Sequence, residues 1–192
     1  MAILHRATMK PPKLALLADW LPDQPWLSAD VVGEPRLVAS YRFDDPAGEV
    51  GMEGMILDVA GERIHGAFTY RGAPLAQAED FLVGTTEHSV LGTRWVYDAA
   101  GDPVFTAELT RVIRTGGTQA EQFVATPGGL EPRPTTAHVR GSGGTAGVLP
   151  VLVRRLDHHP EPDESCPRLT GTWEGQDEPV LLAYLSTDPD VD

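Results

Sequence analysis

Glu87-His88-Ser89-Val90-Leu91-Gly92-Thr93-Arg94-Trp95-Val96-Tyr97-Asp98 reads as two short strands, 85–91 and 93–98, meeting at a glycine. In an extended chain successive side chains point to opposite faces, so Arg94, Val96 and Asp98 share one face while Trp95 and Tyr97 share the other. A connection this short joins antiparallel neighbours, because parallel strands need a long crossover.

The chain upstream has the same character. In residues 36–43, Leu37, Ala39, Tyr41 and Phe43 fall on one face. Asp44-Asp45-Pro46-Ala47-Gly48 is a turn, 49–59 is a strand, and Ala60-Gly61-Glu62 turns the chain into 63–70. There Ile64, Gly66, Phe68 and Tyr70 alternate with Arg63, His65, Ala67 and Thr69. Gly66 inside a strand predicts a bulge or a close approach by another element. Arg71-Gly72-Ala73-Pro74 is a further turn, followed by one or two helical turns in 75–82.

Two segments have helical spacing. Residues 2–8 read as a first strand, after which Pro11-Pro12 opens a helix carrying Leu14, Leu17 and Leu21, which Pro22 ends. The second helix spans 103–115. Asp102 is its N-cap, Pro103 its first residue, and Phe105, Leu109 and Val112 with Ile113 form one apolar stripe. Arg111 and Arg114 suit its last turn, and Gly116-Gly117 ends it. Residues 118–147 are irregular, with short strands at Phe123-Val124 and His138-Val139-Arg140. Val148–Leu156, 170–175 and 179–187 read as strands that complete the sheet, and 188–192 as a frayed tail. The class is α+β: a curved antiparallel sheet packed on a helix, in a single domain over 1–187.

The 192 residues carry a net charge of −13, of which the segment from Asp157 onward, with ten acidic residues and Arg168, contributes −9. Such a surface repels phosphate backbones and anionic headgroups, which disfavours nucleic acid and membrane as partners. Met1–Arg6 holds no apolar run of signal-peptide length, and no apolar stretch is long enough to span a bilayer. The lone Cys166 cannot form an internal disulfide, which fits a reducing, cytoplasmic setting. Its acidic neighbours disfavour the thiolate and so a nucleophilic role.

The chemistry-bearing patterns exclude more than they assign. His88 and Ser89 are adjacent and point apart in a strand, so they make no Ser–His pair, and no Gly-x-Ser-x-Gly elbow exists. No phosphate-binding glycine loop is present, Lys10 and Lys13 are the two lysines, and the chain contains no asparagine, which leaves a kinase site without its parts. His158-His159-Pro160-Glu161-Pro162-Asp163-Glu164-Ser165-Cys166 has residue types that suit zinc or nickel, but adjacent histidines split by prolines do not converge on one ion. It reads as a solvated acidic loop. Asp44, Asp45 and Glu49 match no calcium loop and read as turn-forming carboxylates. The reading assigns no catalytic residue, no metal ligand and no cofactor. Glu87, His88, Arg94, Trp95, Tyr97 and Asp98, with Tyr70 and Arg71, are the candidate binding residues. Aromatics beside arginine and carboxylates can stack on a sugar and bond its hydroxyls, and equally suit a half-buried strand.

Several motifs, taken in order, resemble a known family. Ile3-Leu4-His5, Lys13-Leu14 through Trp20-Leu21-Pro22, Arg42 to Gly51, Thr69 to Leu75, Glu87 to Gly92, Arg94 to Asp98 and Asp102-Pro103-Val104 look like the N-terminal cap domain of actinobacterial maltokinases, over roughly residues 1–125. The resemblance implies a cystatin-like fold. It also implies a regulatory or structural role beside a kinase, near its nucleotide-binding lobe, with no catalytic residues of its own. On this reading the chain is a stand-alone cap-like protein. Its expected partner is a sugar kinase, another enzyme of maltose or glycogen metabolism, or a second copy. Similar proteins are often described as 1,4-alpha-glucan branching proteins, yet no barrel with paired catalytic carboxylates is legible here. A small ligand or oligosaccharide on the concave sheet face, and an enzyme of unrecognised type, are the alternatives.

Overall fold

The hairpin predicted around Ala60 and Gly61 is the centre of the larger sheet. In the computed structural model, which describes residues 1–158 and 162–188, its strands pair without interruption from Gly51↔Tyr70 to Val59↔Glu62. Ala60 and Gly61 both have positive φ, 52° and 93°, as a two-residue turn matched to strand twist requires.

The strands are β1 (Ala2–His5), β2 (Met9–Lys10), β3 (Arg36–Phe43), β4 (Gly51–Val59), β5 (Glu62–Arg71), β6 (Leu82–His88), β7 (Gly92–Asp98), β8 (Gln122–Thr126), β9 (Gly129–Arg133), β10 (Ala137–Gly141), β11 (Leu149–Leu152), β12 (Arg168–Trp173) and β13 (Gln176–Ser186). The helices are α1 (Lys13–Trp20) and α2 (Pro103–Thr115). Among the described residues no helix is long and apolar enough to cross a membrane.

Six strands form an antiparallel sheet in the order β2-β6-β7-β5-β4-β3. Register shifts at Leu37/Ala39 and Leu82/Gly84 bend its outer strands. The first shift changes one expectation: Leu37 lies opposite Leu57 while Ala39 lies opposite Ile56, so the extra residue turns Leu37 off the Ala39–Tyr41–Phe43 face and leaves it 45% exposed. Gly66 sits in regular register, so there is no bulge; a side chain there would strike the Phe68 ring, which lies over it. Tyr41 covers Gly54 across the β3–β4 pair in the same way.

Both faces of this sheet are covered. One carries Met55, Leu57, Val59, Ile64, Phe68 and Val96, packed against Leu16, Leu17 and Leu21 from α1 and the residue after it. The other carries Ala39, Tyr41, Phe43, Met52, Ile56 and Ala67, packed against Phe105, Leu109, Val112 and Ile113 of α2. Helix α2 has the predicted boundaries. Asp102 accepts a hydrogen bond from the Val104 N–H at 3.0 Å, and Gly116 ends the helix in the left-handed region. The expected turns within 75–82 reduce to a single 3₁₀ turn, Glu79–Phe81.

The C-terminal strands were expected to complete this sheet. They instead pair among themselves and with β10, in a four-stranded antiparallel sheet ordered β10-β12-β13-β11 whose inner residues Leu169, Leu182 and Leu185 share the α2 core. The segment after β11 does reach β5: the Arg154 carbonyl accepts from His65 N–H at 2.8 Å, and the Arg63 carbonyl from Leu156 N–H at 2.9 Å. At this seam His65 is fully buried. The Tyr41 hydroxyl lies 3.0 Å from its Nε2, and the Val153 carbonyl, which can only accept, lies 3.2 Å from its Nδ1. Nδ1 therefore carries the proton and Nε2 accepts from Tyr41. Burial, and then the charge of Arg154, lower the imidazole to about 4.

A third sheet has the order β1-β8-β9, with β1 parallel to β8. Of residues 2–8, read as one strand, Ala2–His5 alone form a strand, the next strand, β2, beginning at Met9 in the larger sheet; β9, whose residues are all exposed, lies in the span read as irregular. The 159–161 part of the acidic His-rich loop and the tail 189–192 lie outside the described residues.

Candidate functional site

A cleft of about 600 Å³ wraps the end of β3 and the start of β4, with the β1 segment as its opposite wall. Its floor is an ion-pair network. Strand alternation puts Arg42 and Glu53 opposite each other on neighbouring strands, and Tyr70 two positions along β5 from Phe68, the residue opposite Glu53. All three face α1, whose first residue is Lys13. Lys13 Nζ donates to both Glu53 oxygens, at 2.9 and 2.7 Å. Arg42 Nη2 lies 3.1 Å from Oε2, and the Tyr70 hydroxyl donates to Oε2 at 2.9 Å. Burial alone would raise the Glu53 carboxyl, but the charges of Arg42 and Lys13 and the bonds from Lys13 and Tyr70 outweigh it and hold the group at about 2. Burial and the Glu53 charge push the Tyr70 hydroxyl upward, so it stays a donor.

One wall holds His88, His5 and Arg94. His88 Nδ1 accepts from the Val90 and Leu91 N–H groups at 3.2 and 3.1 Å, so its other nitrogen carries the proton when the ring is neutral. Burial, followed by the charges of His5 and Arg94, lowers its pKa. The His5 and His88 rings meet edge-on at 6.1 Å. Arg94 donates through Nη2 to the Leu91 carbonyl, pairs with no carboxylate among the described residues, and has a buried Nε with no partner. Gly72 leaves it room: a Cβ there would lie 3.0 Å from Nη1.

The rim is acidic but engaged. Asp44 bonds the Met1 ammonium. Asp45 accepts N–H bonds from Ala47, Glu49 and Val50 at 2.8–2.9 Å; burial raises its carboxyl, and these donors reverse that to a net lowering. Phe43, Val50, Met52, Met9 and Leu4 supply apolar lining.

Of the eight candidate residues, Tyr70, His88 and Arg94 meet at this cleft. Arg71 forms a two-pronged bond to the fully buried Asp102, both contacts at 2.7 Å, and ties the sheet to the α2 cap. Asp98 accepts from Arg154 Nη2 at 2.8 and 2.7 Å and from the Ala100 N–H, while Arg154 also lies over the Trp26 ring. The Tyr97 hydroxyl accepts from the Leu75 N–H at 2.9 Å. Glu87 is exposed and accepts from Thr93 on the adjoining strand. Trp95 is half-buried, opposite Arg71 and Thr85. The pattern did not single out His5, Lys13 and Arg42, which line the cleft, or Glu53, buried beneath them. The available signal was parity at Glu53, which shares its face of β4 with the apolar Met55, Leu57 and Val59. Ser89 accepts from the Thr8 N–H, apart from any base. Among the described residues, no three His, Cys, Asp or Glu side chains cluster so as to hold a metal ion.

The fold and cleft define a small α+β module built on a six-stranded antiparallel sheet, with charged side chains gathered at this end. Residues 20–102, from the end of α1 through β7 to the α2 cap, match the maltokinase N-terminal cap domain. That span is a little under half of the chain and contains Arg42, Glu53, Tyr70, His88 and Arg94; β1, most of α1, α2 and the second sheet lie outside it. No curated protein matches the chain.

Proposed function

We propose that this chain is a non-catalytic, cap-type binding or regulatory protein of maltose and α-glucan (glycogen) metabolism, acting in the actinobacterial cytoplasm by docking on an enzyme such as a sugar kinase, or on a second copy of itself. The observation that carries the reading is the match of residues 20–102 to the maltokinase N-terminal cap domain. The internal roles of Arg71, Asp98, Tyr97 and Asp102 support it, since these groups are engaged in holding the fold together. Affinity capture of the intact chain from its own cells, followed by native mass measurement, tests it. A stoichiometric complex with a kinase or glucan enzyme, or a homodimer, is the expected result. A monomer that retains no such enzyme refutes it.

A further inference from the structure

We propose that the cleft around Arg94, Lys13 and Arg42 is a binding site for a small organic anion: an oxyanion head, phosphate monoester or carboxylate, on a compact body with an apolar face. This stands apart from the docking reading, and either can fail without the other.

The argument begins with charge. The chain as a whole carries −13, yet the cleft floor has an excess of cations. Lys13 and Arg42 share one carboxylate, Glu53, which leaves one positive charge over. Arg94 adds a second, with no carboxylate beside it among the described residues and one buried N–H unpartnered. A half-buried guanidinium without a counterion is costly unless something supplies one. The acids on the rim do not: Asp44 is held by the Met1 ammonium and Asp45 by three backbone N–H groups. Glu49 is exposed at the cleft rim and pairs with no cation among the described residues.

Donor geometry points the same way. His88 is fixed as an acceptor at Nδ1 by two backbone N–H groups, so its proton-bearing Nε2 is free to donate. Arg94, Lys13 and His88 are donors, and a group that accepts from several of them at once is an oxyanion. Beside them Leu4, Met9, Phe43 and Met52 give an apolar flank, and a cleft of about 600 Å³ suits a ligand of a few fused or substituted rings or a single sugar unit. Arg133 at the mouth is exposed and makes no side-chain bond among the described residues, which places a further positive charge on the way in.

Calorimetry on the full chain tests the site, with phenyl phosphate, benzoate and the uncharged benzyl alcohol as probes at low and high salt. The expected result is saturable binding of phenyl phosphate, of benzoate, or of both, weakened by salt, with no heat from benzyl alcohol. The stronger of the two anions identifies the head group. Arg94→Gln should weaken the binding by about tenfold or more, as loss of a charged hydrogen-bond donor does. Arg133→Ser, at an exposed side chain with no partner among the described residues, should weaken it by about twofold. Thermal melts of both variants confirm that they are folded. Flat titrations with both anions, binding of benzyl alcohol as strong as theirs, or anion binding that neither substitution changes would each overturn the proposal.

Discussion

Glu53→Gln isolates the network beneath the cleft. Glu53 is 4% exposed and holds Lys13, Arg42 and the Tyr70 hydroxyl together across β3, β4, β5 and α1. Glutamine keeps the shape and an acceptor for Tyr70 but leaves two partly buried cations without their counterion. Its carboxyl at about 2, against 4.5 when unperturbed, is worth about 3 kcal/mol at neutral pH. The same range follows from removing one partner of a buried ion pair, about 3–5 kcal/mol. The pH dependence has a definite sign. A carboxyl whose folded pKa is depressed stabilises above its unfolded pKa, and that stability is lost as pH falls toward the folded value. The deficit of the variant should therefore be about 3 kcal/mol at pH 7 and shrink to about 1 kcal/mol at pH 3. Urea unfolding at both pH values measures it; in a thermal melt at pH 7 it corresponds to a fall of about 6–12 °C for a chain of this size. A variant as stable as the parent at pH 7, or a deficit that does not shrink in acid, would refute the reasoning.

Three further outcomes are expected. His65 titrates near 4 in the folded chain, against 6.5 when unperturbed, so between those values the unfolded state binds more protons; stability should drop by about 3 kcal/mol as pH falls from 6.5 to 4, and in His65→Gln denaturant midpoints should lose most of that slope. Gly54→Ala puts a Cβ 2.1 Å from Tyr41 Cζ, and Tyr41 is fully buried, so denaturant unfolding should show a loss of about 1–3 kcal/mol or more; an unchanged midpoint would mean the ring moves freely. Asp102→Ala removes the α2 cap and strands Arg71, and should cost about 3–5 kcal/mol in the same assay, whereas the exposed Glu87→Ala should change stability by about 0.5 kcal/mol or less.

Local rules were enough for elements whose cause is local. Asp102-Pro103 and Gly116 delimit α2 because capping, the first-turn proline and the left-handed stop depend on a few neighbouring residues. The β4–β5 hairpin was legible because a two-residue turn sets its register. Alternation also correctly assigned Val96 to one face and Tyr97 to the other. It failed at Leu37, where one extra residue reverses the face and no residue type marks it. It missed β9, an exposed strand with no apolar rhythm, held by pairing with β8. Of the cleft, Tyr70, His88 and Arg94 stood out as residue types. Lys13, Arg42 and Glu53 did not, because a charge on a strand looks solvent-facing until the element that covers it is known.

Composition, alternation and cap chemistry, all properties of short stretches, by themselves determined an α+β chain with a central antiparallel hairpin and one amphipathic helix against it. Only the tertiary structure decided that the C-terminal strands form a second sheet, and that His65 is sealed between the two. It alone decided, too, that Arg71 and Asp98 close internal ion pairs while Arg94 has none among the described residues. The physical reason is that an ion pair or a buried imidazole depends on partners 24 to 88 residues away along the chain. Nothing in the local sequence encodes which of several arginines will meet a carboxylate; that follows from sheet order and the packing of α1 and α2.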